Sequence, residues 1–267
     1  MAVLSVDLAF RRWSDLGVVV LSRDPSCPAV TCEILSPDPL GLEAVPDGSA
    51  MDAGIDPDIL AGRLNHLCAV REIGILMLDG PQAWKSSANG LEHARVSERQ
   101  LNTAAKTGLP GTVKPATYRT FAEFCMDVYD ALCRRGWRRL ETRPQPVTLE
   151  PAVAPCERVL VESYPHAAWK SLGLKPLKSK RRARVSDLAE AYGALRAVVP
   201  FTTNRPPNHD QLQAIVGGLA GLALEEHDPA AVRIVGSPPR REQGHWREGF
   251  IVLPLPPHPE SSVRWLN

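Results

Sequence analysis

The 267-residue chain lacks any apolar run approaching the roughly 18 residues a membrane-spanning helix needs, which excludes a helical membrane protein. Its first residues, MAVLSVDLAFRRW, hold no basic segment followed by an apolar one, so no export signal is expected. The six cysteines (Cys27, Cys32, Cys68, Cys125, Cys133 and Cys156) form no CxxC pair and have no adjoining Cys/His ligand set. A zinc centre is therefore not expected, and reduced, mostly buried thiols in a cytoplasmic protein are. The two signs of charge nearly cancel: 31 Lys and Arg face 30 Asp and Glu, the net value is +1 and the pI is near 7.7. No overall field would draw this chain onto nucleic acid, so a polyanion site must be a local patch. Also missing are a GxSxG elbow, a GxxxxGK[ST] loop, a GxGxxG turn after a strand and an HExxH pair.

What is present is globular. Hydrophobic residues make up 44% and charged residues 23%, enough apolar surface for a sizeable core. The 25 prolines form no tract; they punctuate loops around 25–57, 110–115, 144–155, 200–207 and 254–259.

AVLSVDLA, GVVVLS (17–22) and AVTCEILS (29–36) are short β-branched runs bounded by turn residues, which predicts an antiparallel meander. From Pro57 the period changes, and Ile59, Leu60, Leu64, Leu67 and Cys68 recur at helical spacing. IGILMLD (73–79) is then a continuous apolar run, suited to a strand buried on both faces. A polar helix over 91–106, an amphipathic helix over 117–136, a strand at RVLVES (158–163), helices over 180–199 and 208–226, and a last strand at GFIVLP (249–254) follow. The order predicts one α/β domain spanning 1–267: a mixed sheet with its first three strands antiparallel, then parallel strands, and helices on both faces. A proline-rich and partly helical insertion is expected over about 85–157, and a proline-rich tail over about 254–267.

Three acids recur at strand ends: Asp7, Asp79 and Glu162. In open α/β sheets ligands bind beyond the carboxyl ends of the strands. A fourth, Asp210, lies in the first turn of a helix and shares a side with Ala214, Gly217 and Gly221, small residues that would let the helix approach the sheet. Four converging carboxylates need a cation among them, and hard oxygen donors suit Mg²⁺ or Mn²⁺. Each acid also has a plain structural reading: Asp79 before Gly80-Pro81 as a turn former, Asp210 after Asn208-His209 as a helix-start residue.

Between Ser163 and Ser186 there is no acid, while Lys170, Lys175, Lys178, Lys180, Arg181, Arg182 and Arg184 supply seven cations. Beside a metal site such a run suits a phosphate backbone; alone it reads as a solvated helix start. Trp169 has a core reading and a base-stacking one, and His166 and His209 adjoin the acids.

With VDLA (6–9), LDGP (78–81), VESYP (161–165), the K-x-K/R-rich stretch 178–184 and the acid-led helix DQLQAIVGGLAG (210–221), the chain resembles the RNase H-like superfamily. Within it, the resemblance is to the predicted nucleases catalogued as domain of unknown function 429. The resemblance implies an RNase H-like sheet and an acidic, metal-binding cluster of Asp7, Asp79, Glu162 and Asp210. It implies basic positions at Lys178 and Lys180, extended here to Arg181 and Arg184 as substrate-backbone contacts, and counterparts of family arginines at Arg95 and Arg99. The expected activity is Mg²⁺- or Mn²⁺-dependent phosphodiester hydrolysis of DNA or RNA, with no membrane partner. Gln211 and Gln213 stand where relatives carry a second helix acid. The alternative is a non-catalytic module of the same fold that binds protein or nucleic acid. An ATP-dependent phosphotransferase ranks third, because residues 7–13 hold no glycine- and threonine-bearing phosphate turn.

Overall fold

The computed structural model describes residues 2–24, 29–36, 54–142 and 157–256. Residues 143–156 of the extended linker that the sequence predicts over 140–157 and the tail beyond 256 lie outside them, as do Cys27 and Cys156.

Strands β1 (Ala2–Asp7), β2 (Gly17–Arg23) and β3 (Val30–Leu35) form the expected meander, with Asp7 paired to Gly17 at the open end of β1. Helix α1 (Pro57–Val70) starts where Asp56 caps the amides of Asp58 and Ile59, with proline at the first helical position. Its buried stripe is Leu60, Ala61, Leu64, Leu67 and Cys68, whereas Ile59 stands 52% exposed, one step round the helix from the core. Strand β4 (Ile75–Asp79) then runs parallel to β1, as a crossover helix requires.

The expected polar helix over 91–106 is only the six-residue α2 (Val96–Leu101), closed by Asn102 in the left-handed conformation. A small ribbon, β5 (Lys106–Thr107) and β6 (Val113–Lys114), precedes α3 (Arg119–Arg134). Although α3 falls in the region read as an insertion, its Phe124, Val128 and Leu132 belong to the main core. Next come β7 (Arg138–Arg139), β8 (Val159–Ser163), α4 (Pro165–Ser171), α5 (Val185–Val198), β9 (Phe201–Thr203) and α6 (His209–Glu225). Helix α5 begins five residues later than the apolar period predicts, after a turn that carries the cationic run, with Asp187 accepting from the Arg184 amide.

The chain closes with β10 (Val232–Glu242) and β11 (His245–Pro254), a hairpin of which only the second half is legible as GFIVLP. Pro238 and Pro239 hide β10 in the sequence. They sit at a register shift between Ser237 and Arg240, where an edge strand tolerates residues without amide donors.

The sheet order is β10-β11-β8-β4-β1-β2-β3-β9, with β7 also pairing β8. Antiparallel over β3-β2-β1 and parallel over β1-β4-β8, with helices on both faces, this is the RNase H-like arrangement that the sequence predicts. Side chains alternate across the strands. Val3, Ile75, Met77, Val159 and Val161 face α4, α5 and α6. Leu4, Val6, Leu76, Leu78 and Leu160 face α1 and α3. No helix among the described residues is long and apolar enough to cross a membrane.

Candidate active site

Register brings the first two acids together. Asp7 and Asp79 are partners at the carboxyl ends of the adjacent parallel strands β1 and β4. Alternation from Val3 and from Ile75 and Met77 points both towards the α6 face. Helix α6 supplies the third. Asn208 caps it through the Gln211 amide at 2.9 Å, and the Gln211 side chain accepts from the Asn208 amide at 2.9 Å, which sets Asp210 in the first turn.

Glycine lets that helix lie on the sheet. A Cβ on Gly218 would come within 2.4 Å of a Leu21 methyl and 2.7 Å of the Ser5 Cβ. The expected small face contributes too, Gly217 against Ser163 and Gly221 against Met77. The Ser5 hydroxyl donates to the Ala214 carbonyl at 2.7 Å, pinning helix to strand directly above Asp7.

The electrostatics separate the acids. Asp7 and Asp79 keep part of their surface in solvent, but burial of their carboxyl groups is the largest influence and raises both pKa values. The two are hydrogen-bonded to each other, and Asp210 adds a further negative charge near Asp7. Two carboxyls so placed retain a proton between them. Asp210 behaves oppositely. Burial alone would raise its pKa, but hydrogen bonds from His209 and Lys180 outweigh that and hold it below the ordinary range. His209 Nδ1 is 3.1 Å from Asp210, its Nε2 is 3.0 Å from the Lys178 carbonyl, and Lys180 Nζ bonds both Asp210 and Asp15, the latter at 2.8 Å.

Glu162 lies differently. Its register partner is Leu78, while Ser163 pairs with Asp79. By alternation Ser163, not Glu162, continues the row of Asp7 and Asp79. Glu162 follows Leu160 on the α1/α3 side, and is 3% exposed. Arg95, 1% exposed, donates to it through both terminal nitrogens at 2.7 and 2.6 Å, and the Gln82 amide adds a third bond at 3.1 Å. Arg95 also donates from Nε to Glu98 at 3.1 Å, and Glu98 accepts from the amide and hydroxyl of Thr107. Burial opposes the charge on Arg95, and the carboxylates of Glu162 and Glu98 more than restore it.

The cationic run is partly consumed within the fold. Lys178 pairs with Asp187 at 2.7 Å and Lys180 with Asp15 and Asp210, whereas Arg181, Arg182 and Arg184 have exposed side chains on the same loop. Trp169 is core: it is fully buried and its Nε1 donates to Gln213 at 2.8 Å. His166 is exposed at the first turn of α4 and stacks obliquely near Tyr164.

Among the described residues, no three His, Cys, Asp or Glu side chains stand as a preformed set for a metal ion. The donor chemistry divides in two. Asp7 and Asp79, register partners at adjacent strand ends, offer hard oxygen donors that fit one divalent ion, while both oxygens of the neighbouring Asp210 are engaged by His209 and Lys180. Glu162 does not fit, because both of its oxygens are held by a guanidinium. Asp15, the second anchor of Lys180, carries no sequence signal. The place of Ser163 does: counting alternation from Val159 and Val161 puts it beside Asp79.

No family model and no curated protein matches the chain. Among solved structures it is similar to the Thermus thermophilus RuvC structure, at 11% sequence identity and a TM-score of 0.37, over 85% of this chain and 96% of that one. The strand pairing and the acid geometry stand on their own.

Proposed function

We propose that the protein is a divalent-metal-dependent phosphodiesterase acting on nucleic acid in the cytoplasm, a member of the predicted nuclease family catalogued as domain of unknown function 429. The observation that supports this reading is the register pairing of Asp7 and Asp79 at the carboxyl ends of two adjacent parallel strands, with the charge of Asp210 near Asp7 and a loop bearing exposed arginines next to it. Asp7 and Asp79 would hold Mg²⁺ or Mn²⁺, with Asp210 next to them on α6. A bound cation supplies neutralisation of phosphoryl oxygens and activation of water as the nucleophile.

The chain's own residues do the rest. Asp210, kept anionic by Lys180 and His209, orients the attacking water. Gly17, Gly218 and Ser5 fix the helix that carries it. Arg181, Arg182 and Arg184 would hold the substrate backbone, and Lys178 and Lys180 brace the loop they stand on. In hydrolysis the water oxygen bonds to phosphorus and releases a proton to solvent, while the bond from phosphorus to one ester oxygen breaks and that oxygen takes up a proton from solvent.

The reading is tested by following thermal stability of metal-stripped protein as Mn²⁺ is added, for wild type and Asp7→Asn in parallel. Binding to the native state raises apparent stability by mass action. A rise in wild type that vanishes in Asp7→Asn supports the proposal. No rise at millimolar Mn²⁺, with or without an oligonucleotide, overturns it.

One observation favours the alternative of a non-catalytic binding module. Two of the four acids already have internal cations, Glu162 in Arg95 and Asp210 in Lys180, as a purely structural network would. Oligonucleotide binding that is indifferent both to metal and to Asp7→Asn would decide for that module.

A further inference from the structure

The acid at the end of the third parallel strand faces a guanidinium where the other strand-end acids face each other. We infer that the site takes a single divalent cation, at Asp7 and Asp79, and that Arg95 occupies permanently the place of a second one by holding Glu162. The inference rests on the metal-dependent reading of the site and deepens it, because it sets the number of ions and removes Glu162 from their ligands.

Three observations carry it. Register pairs Glu162 with Leu78 and Ser163 with Asp79, so the backbone directs Glu162 away from the face that Asp7 and Asp79 share with α6. Both Glu162 oxygens accept from Arg95 at 2.6–2.7 Å, and the Gln82 amide takes a further lone pair. Arg95 is not free to leave. It is 1% exposed, its Nε is tied to Glu98, and Glu98 accepts from the amides of Arg95 and Thr107 and the Thr107 hydroxyl. A planar fork matched to a carboxylate at both oxygens, with both partners buried, exchanges for a hydrated ion only at the cost of stranding a buried arginine.

Arg95 thereby ties the segment between β4 and α3 to the strand end. Its guanidinium lies between two carboxylates, Glu162 and Glu98, so that strand end already has its cation.

The test is calorimetric titration of Mn²⁺ into metal-stripped full-length protein. Wild type should bind one ion per chain, Asp7→Asn none, and the double variant Arg95→Met/Glu162→Gln one ion with affinity within about fivefold of wild type. The double variant removes both charges together, so neither is left stranded. Two ions per wild-type chain would overturn the inference, and that count needs no variant to fold. Loss of binding in a folded double variant while wild type binds one ion would overturn the inference and leave the metal-dependent reading standing. No binding in wild type would overturn both.

Discussion

A methyl group on Gly17 would lie 2.2 Å from the backbone oxygen of Asp210, and Gly17 is the register partner of Asp7. The same residue therefore ends β1's pairing with β2 and lets the first turn of α6 rest on that strand end. Gly17→Ala must push the helix start away, because the nearest atoms are backbone and cannot rotate aside. Overpacking of this kind costs about 1–3 kcal/mol. We expect a loss of that size in urea denaturation, together with weaker Mn²⁺ binding. Unchanged stability and unchanged binding would show that α6 can shift without disturbing the acids.

Asp7→Asn should make the metal-free protein more stable while removing its Mn²⁺ response. The native pKa values of Asp7 and Asp79 lie above those of the unfolded chain, where both acids are ordinary, and Asp79 is pushed up to about 7. Within that window the native state binds more protons than the unfolded one, so stability falls as pH rises from about 4 towards 7. Asparagine at position 7 keeps a donor facing Asp79 and abolishes the repulsion. The gain should be on the order of 1–3 kcal/mol above pH 7 and negligible near pH 4. Thermal melts of both proteins across that range decide it; a variant less stable at pH 8 would contradict the pairing.

Much of this was legible in the residues. β-branched runs and a helical period place β1 to β4, β8, α1, α3 and α6, because each buries a continuous apolar face that no other pattern accommodates. Asp7, Asp79 and Asp210 follow from position alone, two at ends of apolar strands and one in the first turn of a glycine-rich helix. The partner of Glu162 is not legible. Arg95 lies 67 residues earlier in a segment of little apolar period, and only the tertiary fold brings the two together. Strand β10 is hidden by its own prolines. The cationic run reads as a free patch because Asp15 and Asp187, which engage Lys180 and Lys178, are indistinguishable in sequence from solvated acids.

Arg95→Met alone should be far more damaging than the double change with Glu162→Gln. The single variant leaves Glu162 buried without its counter-ion, a situation that costs about 3–5 kcal/mol. Removing both partners leaves Glu98 with its bonds to the Arg95 amide and Thr107 and should recover most of that loss. Urea midpoints of the two variants and of wild type give the comparison. Equal destabilisation of single and double variants would mean that Arg95 acts through Glu98 rather than Glu162.

Lys180→Met should raise the pKa of Asp210 and narrow the acid range over which the fold is stable. Asp210 is held low against its own burial by hydrogen bonds from His209 and Lys180. A depressed native pKa contributes stability that is present above the unfolded carboxylate value and is lost as pH falls through the native one. Without Lys180 that contribution shrinks, and because Lys180 is half exposed the change at neutral pH should be at most about 1 kcal/mol. The clearer readout is the Asp210 carboxyl itself, followed by carbon-detected NMR titration in both proteins. An upward shift confined to Asp210 supports the role given to Lys180. An unmoved Asp210 would mean that His209 alone keeps it anionic, and that Lys180 is free to meet a phosphate.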